Sequence, residues 1–203
     1  MKKIPTLFER EFKNHKVVGI YPKVTSGLEY VLEDESVIAT IKFDGSCCAI
    51  IDGELYKRYD AKKGRKVPEG AIPCCDPDPI TGHHPHWVKC DINNPADKWF
   101  IKAYDNSWVR KTADRTYEAI GKHFNGNPYD LEYDILIMHG RIQVPQSDLN
   151  ELSFEAIKKY LESHNVEGIV FWKDGEPICK IKRTDFGFKW PIKKDKGGQN
   201  DIN

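Results

Sequence analysis

The sequence predicts an α+β fold: antiparallel sheets flanked by a few helices. Three observations carry this. Strand-length apolar runs recur at residues 37–41, 47–51, 54–59, 117–120, 131–138, 168–172 and 178–182. Two of the links between them are Asp-Gly turns, at Asp52-Gly53 and Asp174-Gly175. Helical spacing and capping signals are confined to a few short segments.

Taken in order, Thr6 and Glu9 have capping-box spacing, so residues 5–9 are predicted to open a short helix. The run 37–41 is a strand that ends at Lys42. Residues 47–51 and 54–59 form a hairpin closed by a type I′ turn at Asp52-Gly53. Residues 60–93 are rich in Gly, Pro, Asp and His and are predicted to be a long loop with little regular structure. Asn94-Pro95 then starts a helix, with Asn as cap and Pro in the first turn. Trp99, Phe100, Ala103 and Tyr104 share its core-facing side. Ser153 caps a helix reaching about residue 164, with Phe154, Ile157 and Leu161 on one face. The chain of 203 residues is expected to form a single domain, with 193–203 a polar, mobile tail.

Composition narrows the class. At 39% hydrophobic and 31% charged residues, the chain is expected to fold rather than stay disordered. No apolar run approaches the roughly 20 residues a membrane span requires, and the first residues lack the apolar core of a leader peptide. A cytoplasmic protein without a membrane partner is expected. Six cysteines, two pairs of them adjacent, are too sparse for a disulfide framework and read as reduced thiols. The net charge of zero argues against one uniformly basic surface. Basic residues nevertheless cluster at 57–66 and 180–196, and such runs taken alone read as solvated faces.

Lys42-Phe43-Asp44-Gly45 follows a strand and precedes a hairpin. A lysine placed there can offer its amine to a bound phosphate. Acting as a nucleophile, the amine must first lose its proton, against a reference pKa of about 10.4. Alone, Lys-x-Asp-Gly is a weak pattern that more often describes a surface lysine before a turn. Glu118 lies on a strand that ends in Gly121, and Glu167-Gly168 puts a second carboxylate just before a buried strand. Lys180 and Lys182 alternate with apolar residues, so both ammonium groups share one strand face. Each of these also has a bland reading, as a polar strand end or a solvated edge strand.

In this order the four elements resemble the covalent nucleotidyltransferase superfamily of DNA ligases, RNA ligases and mRNA capping enzymes, over residues 37–183. Asp44-Gly45-Ser46-Cys47-Cys48, Pro77-Asp78-Pro79-Ile80-Thr81-Gly82-His83, Gly126-Asn127-Pro128-Tyr129 and His139-Gly140 are similar to segments of the RNA ligase 1 family. The resemblance implies a nucleotidyltransferase domain with ATP in a groove between antiparallel sheets. It implies an ATP-dependent 5′–3′ RNA ligase that carries AMP on Lys42, passes it to an RNA 5′-phosphate and then joins a 3′-hydroxyl. Lys180 and Lys182 are the expected neutralisers of phosphate charge. Glu118 is expected at the ribose hydroxyls, and Glu167 is expected to hold Mg²⁺, with Mn²⁺ as an alternative. Arg58 is expected near ribose or the acceptor phosphate. Main-chain groups near Ile41 are expected to select adenine, and Tyr133, on the middle strand, either stacks on it or is a core tyrosine. Asp44 is expected to be structural.

Cys74, Cys75, His83, His84, His86 and Cys90 offer zinc-type donors without zinc-type spacing, so no structural zinc is expected there. The segment around Asp78 is expected to cover the active site or touch RNA, with Trp87 packing it or stacking on a base. Only 21 residues follow Lys182, too few for an appended oligonucleotide-binding barrel, which favours a minimal RNA ligase. The partner expected is RNA with 5′-phosphate and 3′-hydroxyl ends, and no obligate protein partner is inferred. The rivals are a DNA ligase or capping-type enzyme with the same lysyl chemistry, and a non-catalytic RNA-binding module.

Overall fold

The computed structural model describes residues 3–14, 16–62, 64–107 and 114–192. In chain order these hold β1 (Phe8–Lys13), β2 (Lys16–Val24), β3 (Ile38–Lys42), β4 (Ser46–Ile51), β5 (Glu54–Ala61), β6 (Ile72–Pro73), β7 (His84–Lys89), α1 (Lys98–Asp105), β8 (Arg115–Ile120), β9 (Ile135–Met138), α2 (Phe154–Ser163), β10 (Gly168–Lys173) and β11 (Glu176–Lys182). The strand pairings named below are antiparallel. No helix among the described residues is long and apolar enough to cross a membrane. The chain divides into two compact units: Asp44–His139 with the first residues, and Ile4–Phe43 with Gly140–Asn203. It therefore passes from one unit to the other after Lys3, after Phe43 and after His139.

The second unit is built on a sheet of order β11-β10-β3. Its register explains its two faces. Ile169 pairs with Ile41 and Ile181, and Phe171 with Ala39 and Cys179. These rows form the apolar face, packed with Leu7, Phe8, Val31, Ile157 and Leu161 into one buried core. Helix α2 contributes to it as its sequence predicts: Ser153 Oγ accepts the Ala156 N–H at 3.2 Å, and Ile157, Tyr160 and Leu161 are buried. The intervening rows point the other way. Gly168 pairs with Lys42 and Lys182, and Val170 with Thr40 and Lys180.

The first unit is built on a sheet of order β6-β7-β5-β4-β8-β9. Cys48, Ile50, Tyr117, Ala119 and Leu136 form its buried core, with Ala103 of α1 packed among them. The β4–β5 turn has positive φ at both Asp52 and Gly53, as a type I′ hairpin requires.

Several sequence expectations are corrected. Residues 5–9 form no helix. Pro5 and Leu7 bond across to Lys180, and Phe8 begins β1, because Leu7 and Phe8 are buried at the sheet rather than spaced along a helix. The β1–β2 hairpin had no strong turn signal and is additional to the predicted strands. Residues 60–93 are not a structureless loop: β7 lies inside the larger sheet between β5 and β6, with Pro85, His86 and Trp87 buried. Its polar composition concealed a strand because its neighbours satisfy it; the Pro85 carbonyl, for example, accepts from Cys74. The strand predicted at 131–138 begins only at Ile135. The basic run at 57–66 is not one face, since Lys57 pairs with buried Asp97 while the adjacent Arg58 points to the opposite side. Arg183 is likewise buried, donating to the carbonyls of Leu161, Glu162 and His164. The tail predicted mobile at 193–203 lies outside the described residues.

Candidate active site

The pairing of Gly168 with both Lys42 and Lys182 sets two lysines on either side of a residue without a side chain. Gly168 is required there: a Cβ would meet the Ile181 carbonyl oxygen at 2.2 Å. Glu167, next in the chain and only 6% exposed, reaches both lysines. Lys42 Nζ bonds to its Oε2, and Lys182 Nζ lies 2.6 Å from its Oε1. Burying a carboxylate is tolerable because both oxygens meet cations.

Lys180 stands one row further along the same face. Burial lowers its pKa to about 8, helped by the ammonium groups of Lys182 and Lys42 and by Arg10, with Glu167 opposing. Among the described residues it has no ion-pair partner. Three amines thus surround one carboxylate, an excess of positive charge suited to an anion.

Arg10 and Asp185 were not singled out from sequence. Arg10 donates to Asp185 Oδ1 at 3.1 Å, and Asp185 Oδ2 accepts the Lys182 N–H at 2.8 Å, which anchors the end of β11. Neither carried a sequence signal: Lys182 is not a helix-capping residue type, so Asp185 three residues on completes no capping pattern, and Arg10 lies on an unpredicted strand.

In the other unit the Asp44-Gly45 turn is held from residues 125–129. Tyr129 Oη accepts the Asp44 N–H at 2.6 Å, and Asn125 Nδ2 donates to Asp44 Oδ1 at 2.7 Å and to the Gly45 carbonyl at 2.8 Å. Gly45 abuts β8, where an added Cβ would meet the Ala119 oxygen at 2.2 Å. Asp44 is therefore engaged at the turn, as expected. Tyr129, which sequence marked only through a family resemblance, has a structural reason.

The larger sheet gathers a row of unlike groups. Cys48 pairs with Lys57, so Cys47 stands level with Arg58; Cys47 pairs with Glu118, and Arg58 with Trp87. Arg58 Nη2 meets Asp60 at 2.9 Å, and its buried Nε has no hydrogen-bond partner among the described residues. Glu118 accepts the Gly45 N–H at 3.1 Å through Oε1, and its Oε2 lies 2.9 Å from His139 Nε2. The other nitrogen of that ring lies 2.9 Å from Thr116 Oγ1.

Of the two expected base contacts, the tyrosine is displaced from its expected element. Tyr133 is on no strand; it sits in the bend before β9 and is 60% exposed, so it is neither a strand-borne platform nor a core residue. The Ile41 N–H donates to the Ile142 carbonyl at 2.8 Å, and its side chain packs against the core. A base contact there, to the donor amino group of adenine, would have to use an acceptor rather than this N–H. Trp87, 6% exposed within β7, packs the sheet. The segment around Asp78 is a turn whose carboxylate accepts the N–H groups of Ile80 and Thr81 at 3.0 and 2.9 Å and lies 3.8 Å from Lys3 Nζ.

The family model described as RNA ligase 1 matches residues 107–200. Several curated proteins named RNA ligase 1 are similar to this chain. That of Pongo abelii is 25% identical over 229 aligned positions, 77% of this chain and 69% of that protein. That of Danio rerio is 28% identical over 141, covering 55% of this chain and 43% of that protein. The Rattus norvegicus protein is 24% identical over 229, with 77% and 69% covered. Together with the ordered motifs, these matches make the chain similar to the RNA ligase 1 family.

Proposed function

We propose that the chain is an ATP-dependent RNA ligase, a nucleotidyltransferase of the ligase type, that carries AMP on Lys42. The observation that carries this reading is the pair Lys42 and Lys182 flanking Gly168 and sharing buried Glu167, with Lys180 beside them. The relatives' name supports joining as the reaction and RNA as the polymer joined.

In the first step Lys42 Nζ forms a bond to the α-phosphorus of ATP, and the bond to pyrophosphate breaks. The amine must shed a proton, and Glu167 Oε2, already bonded to Nζ, is an acceptor at hand. Lys180 and Lys182 offset charge on the phosphorus oxygens. In the adenylylated amine the nitrogen is uncharged and the phosphoryl group keeps one negative charge, so once Glu167 passes the proton on to solvent its Oε2 is free of the ion pair with Lys42. Glu167 then fits a hard cation, since Mg²⁺ is commonly held by one or two carboxylates together with substrate phosphates. When bound, Mg²⁺ would supply further neutralisation of phosphate charge, and Mn²⁺ can substitute. AMP passes next to an RNA 5′-phosphate; a 3′-hydroxyl then attacks that phosphate and AMP leaves. Glu118 is the proposed partner of the ribose hydroxyls, and the unpartnered Nε of Arg58 supports a ribose or phosphate contact in the same row. We place this activity in the cytoplasm.

The test is the intact mass of the protein after incubation with ATP and Mg²⁺. One added AMP, discharged by 5′-phosphorylated RNA, is expected. Equal labelling by GTP would favour a capping-type enzyme, sealing of nicked DNA but not RNA would favour a DNA ligase, and RNA binding without any adduct would favour a binding module.

A further inference from the structure

The larger sheet holds a donor cluster that nucleotidyl transfer uses only in part. Cys47 of β4 and Glu118 of β8 are register partners, and His139 follows directly after β9. One sulfur, one carboxylate oxygen and one imidazole nitrogen from these residues all lie within 4.8 Å of one another. The three side chains are half-buried, Glu118 and His139 being 14% and 19% exposed.

The cluster is also braced. Thr116 Oγ1 sits 2.9 Å from His139 Nδ1, which turns Nε2 towards Glu118 and Cys47. The Gly45 N–H occupies the second oxygen of Glu118. Such outer partners, which fix ring orientation and the carboxylate, are what metal ligands ordinarily have. The donor set selects the ion. Mg²⁺ and Ca²⁺ take oxygen ligands, whereas a sulfur, a nitrogen and an oxygen suit Zn²⁺. A thiolate and a carboxylate balance its two charges, and a neutral imidazole leaves a fourth tetrahedral position open. The ordinary state of the thiol is protonated, because burial and then the Glu118 carboxylate raise its pKa to about 12, against Arg58, which favours the thiolate.

We propose that Cys47, Glu118 and His139 form a Zn²⁺ site. On binding, a sulfur–zinc bond replaces the thiol S–H bond and the proton goes to solvent. With zinc on Nε2, the imidazole carries its proton on Nδ1, donated to Thr116 Oγ1. Because Glu118 is also the proposed ribose partner, zinc and ATP compete, and zinc holds the ligase uncharged; this clause rests on the ligase reading, the site itself does not.

Cobalt(II) titrated into the full chain tests the site, since a cobalt–thiolate bond absorbs strongly in the near ultraviolet. The band should saturate at one cobalt per chain and be bleached by zinc. Cys47→Ser should abolish it, while Cys74→Ser, Cys75→Ser and Cys90→Ser keep it. Thr116→Val, which spares all three ligands, should weaken cobalt binding by about 10–100-fold. No thiolate band, or one that survives Cys47→Ser, overturns the site; a band indifferent to saturating ATP overturns the competition. The titration contains no RNA and its metal arm no ATP, so it can fail while Lys42 still gains AMP, and the reverse.

Discussion

On the polar face of the smaller sheet, Lys42, Lys180 and Lys182 surround the single carboxylate of Glu167. On the larger sheet a guanidinium, a thiol, a carboxylate and an imidazole stand together through Arg58, Cys47, Glu118 and His139. Both are cross-strand arrangements on one side of an antiparallel sheet, yet they are specified differently. The lysine set repeats one charge at strand spacing, so much of it is written locally as Lys-x-Lys and Glu-Gly. The mixed row joins residues from β4, β5, β8 and the end of β9, and only strand register makes them neighbours. The first suits an anion whose charge must be offset; the second suits hydroxyls or a soft cation.

The comparison breaks most severely at Lys42. Lys42→Ala and Lys42→Arg should both abolish the AMP adduct by mass, since neither offers an amine that can be deprotonated. Lys42→Ala should still join pre-adenylylated RNA, because the carrier has no part in that step. An adduct formed by Lys42→Ala would sink the ligase reading. Lys182→Ala comes next: removing one donor that offsets phosphate charge in a poorly solvated site costs about 10²–10³ in rate. Unlike Lys42→Ala, it should slow the joining of pre-adenylylated RNA as well as charging.

The glycines separate packing from chemistry. Gly168→Ala sets a methyl against the Ile181 oxygen, where an added Cβ would lie at 2.2 Å. Overpacking of this kind should cost about 1–3 kcal/mol, read by urea unfolding. Unchanged stability would show that β10 and β11 do not approach so closely. Tyr129→Phe removes only the hydroxyl that accepts from Asp44, for about 0.5–1.5 kcal/mol. Its effect on charging should be correspondingly modest.

The smallest effect is a pH slope. Lys180 has a folded-state pKa of about 8 against an ordinary 10.5. Between those values the unfolded chain binds more protons than the folded one, so this group makes stability rise with pH across that window. Thermal unfolding of Lys180→Met should lack that rise, whereas parallel slopes for the two proteins would show that Lys180 titrates normally.

The local pattern determined a good deal. Alternation and Asp-Gly turns specified β4, β5, β10 and β11, and Asn94 and Ser153 marked where helical turns begin. The spacing of Lys180 and Lys182 was enough to place both on one face. These features depend on backbone preferences and side-chain periods within a few residues, so they are legible without a partner. Tertiary structure alone decided the rest. Thr6 and Glu9 have a helix-capping pattern, yet the segment pairs with Lys180 because burying Leu7 and Phe8 outweighs a cap. The polar run around His86 became an interior strand because β5 and β6 flank it on either side. Which residue braces Glu118, and that Cys47 is its neighbour, followed from hydrogen bonds and register between strands some seventy residues apart in sequence, β4 and β8. Hydrogen bonding across a sheet is blind to sequence separation, and no local pattern encodes which distant strand will supply the partner.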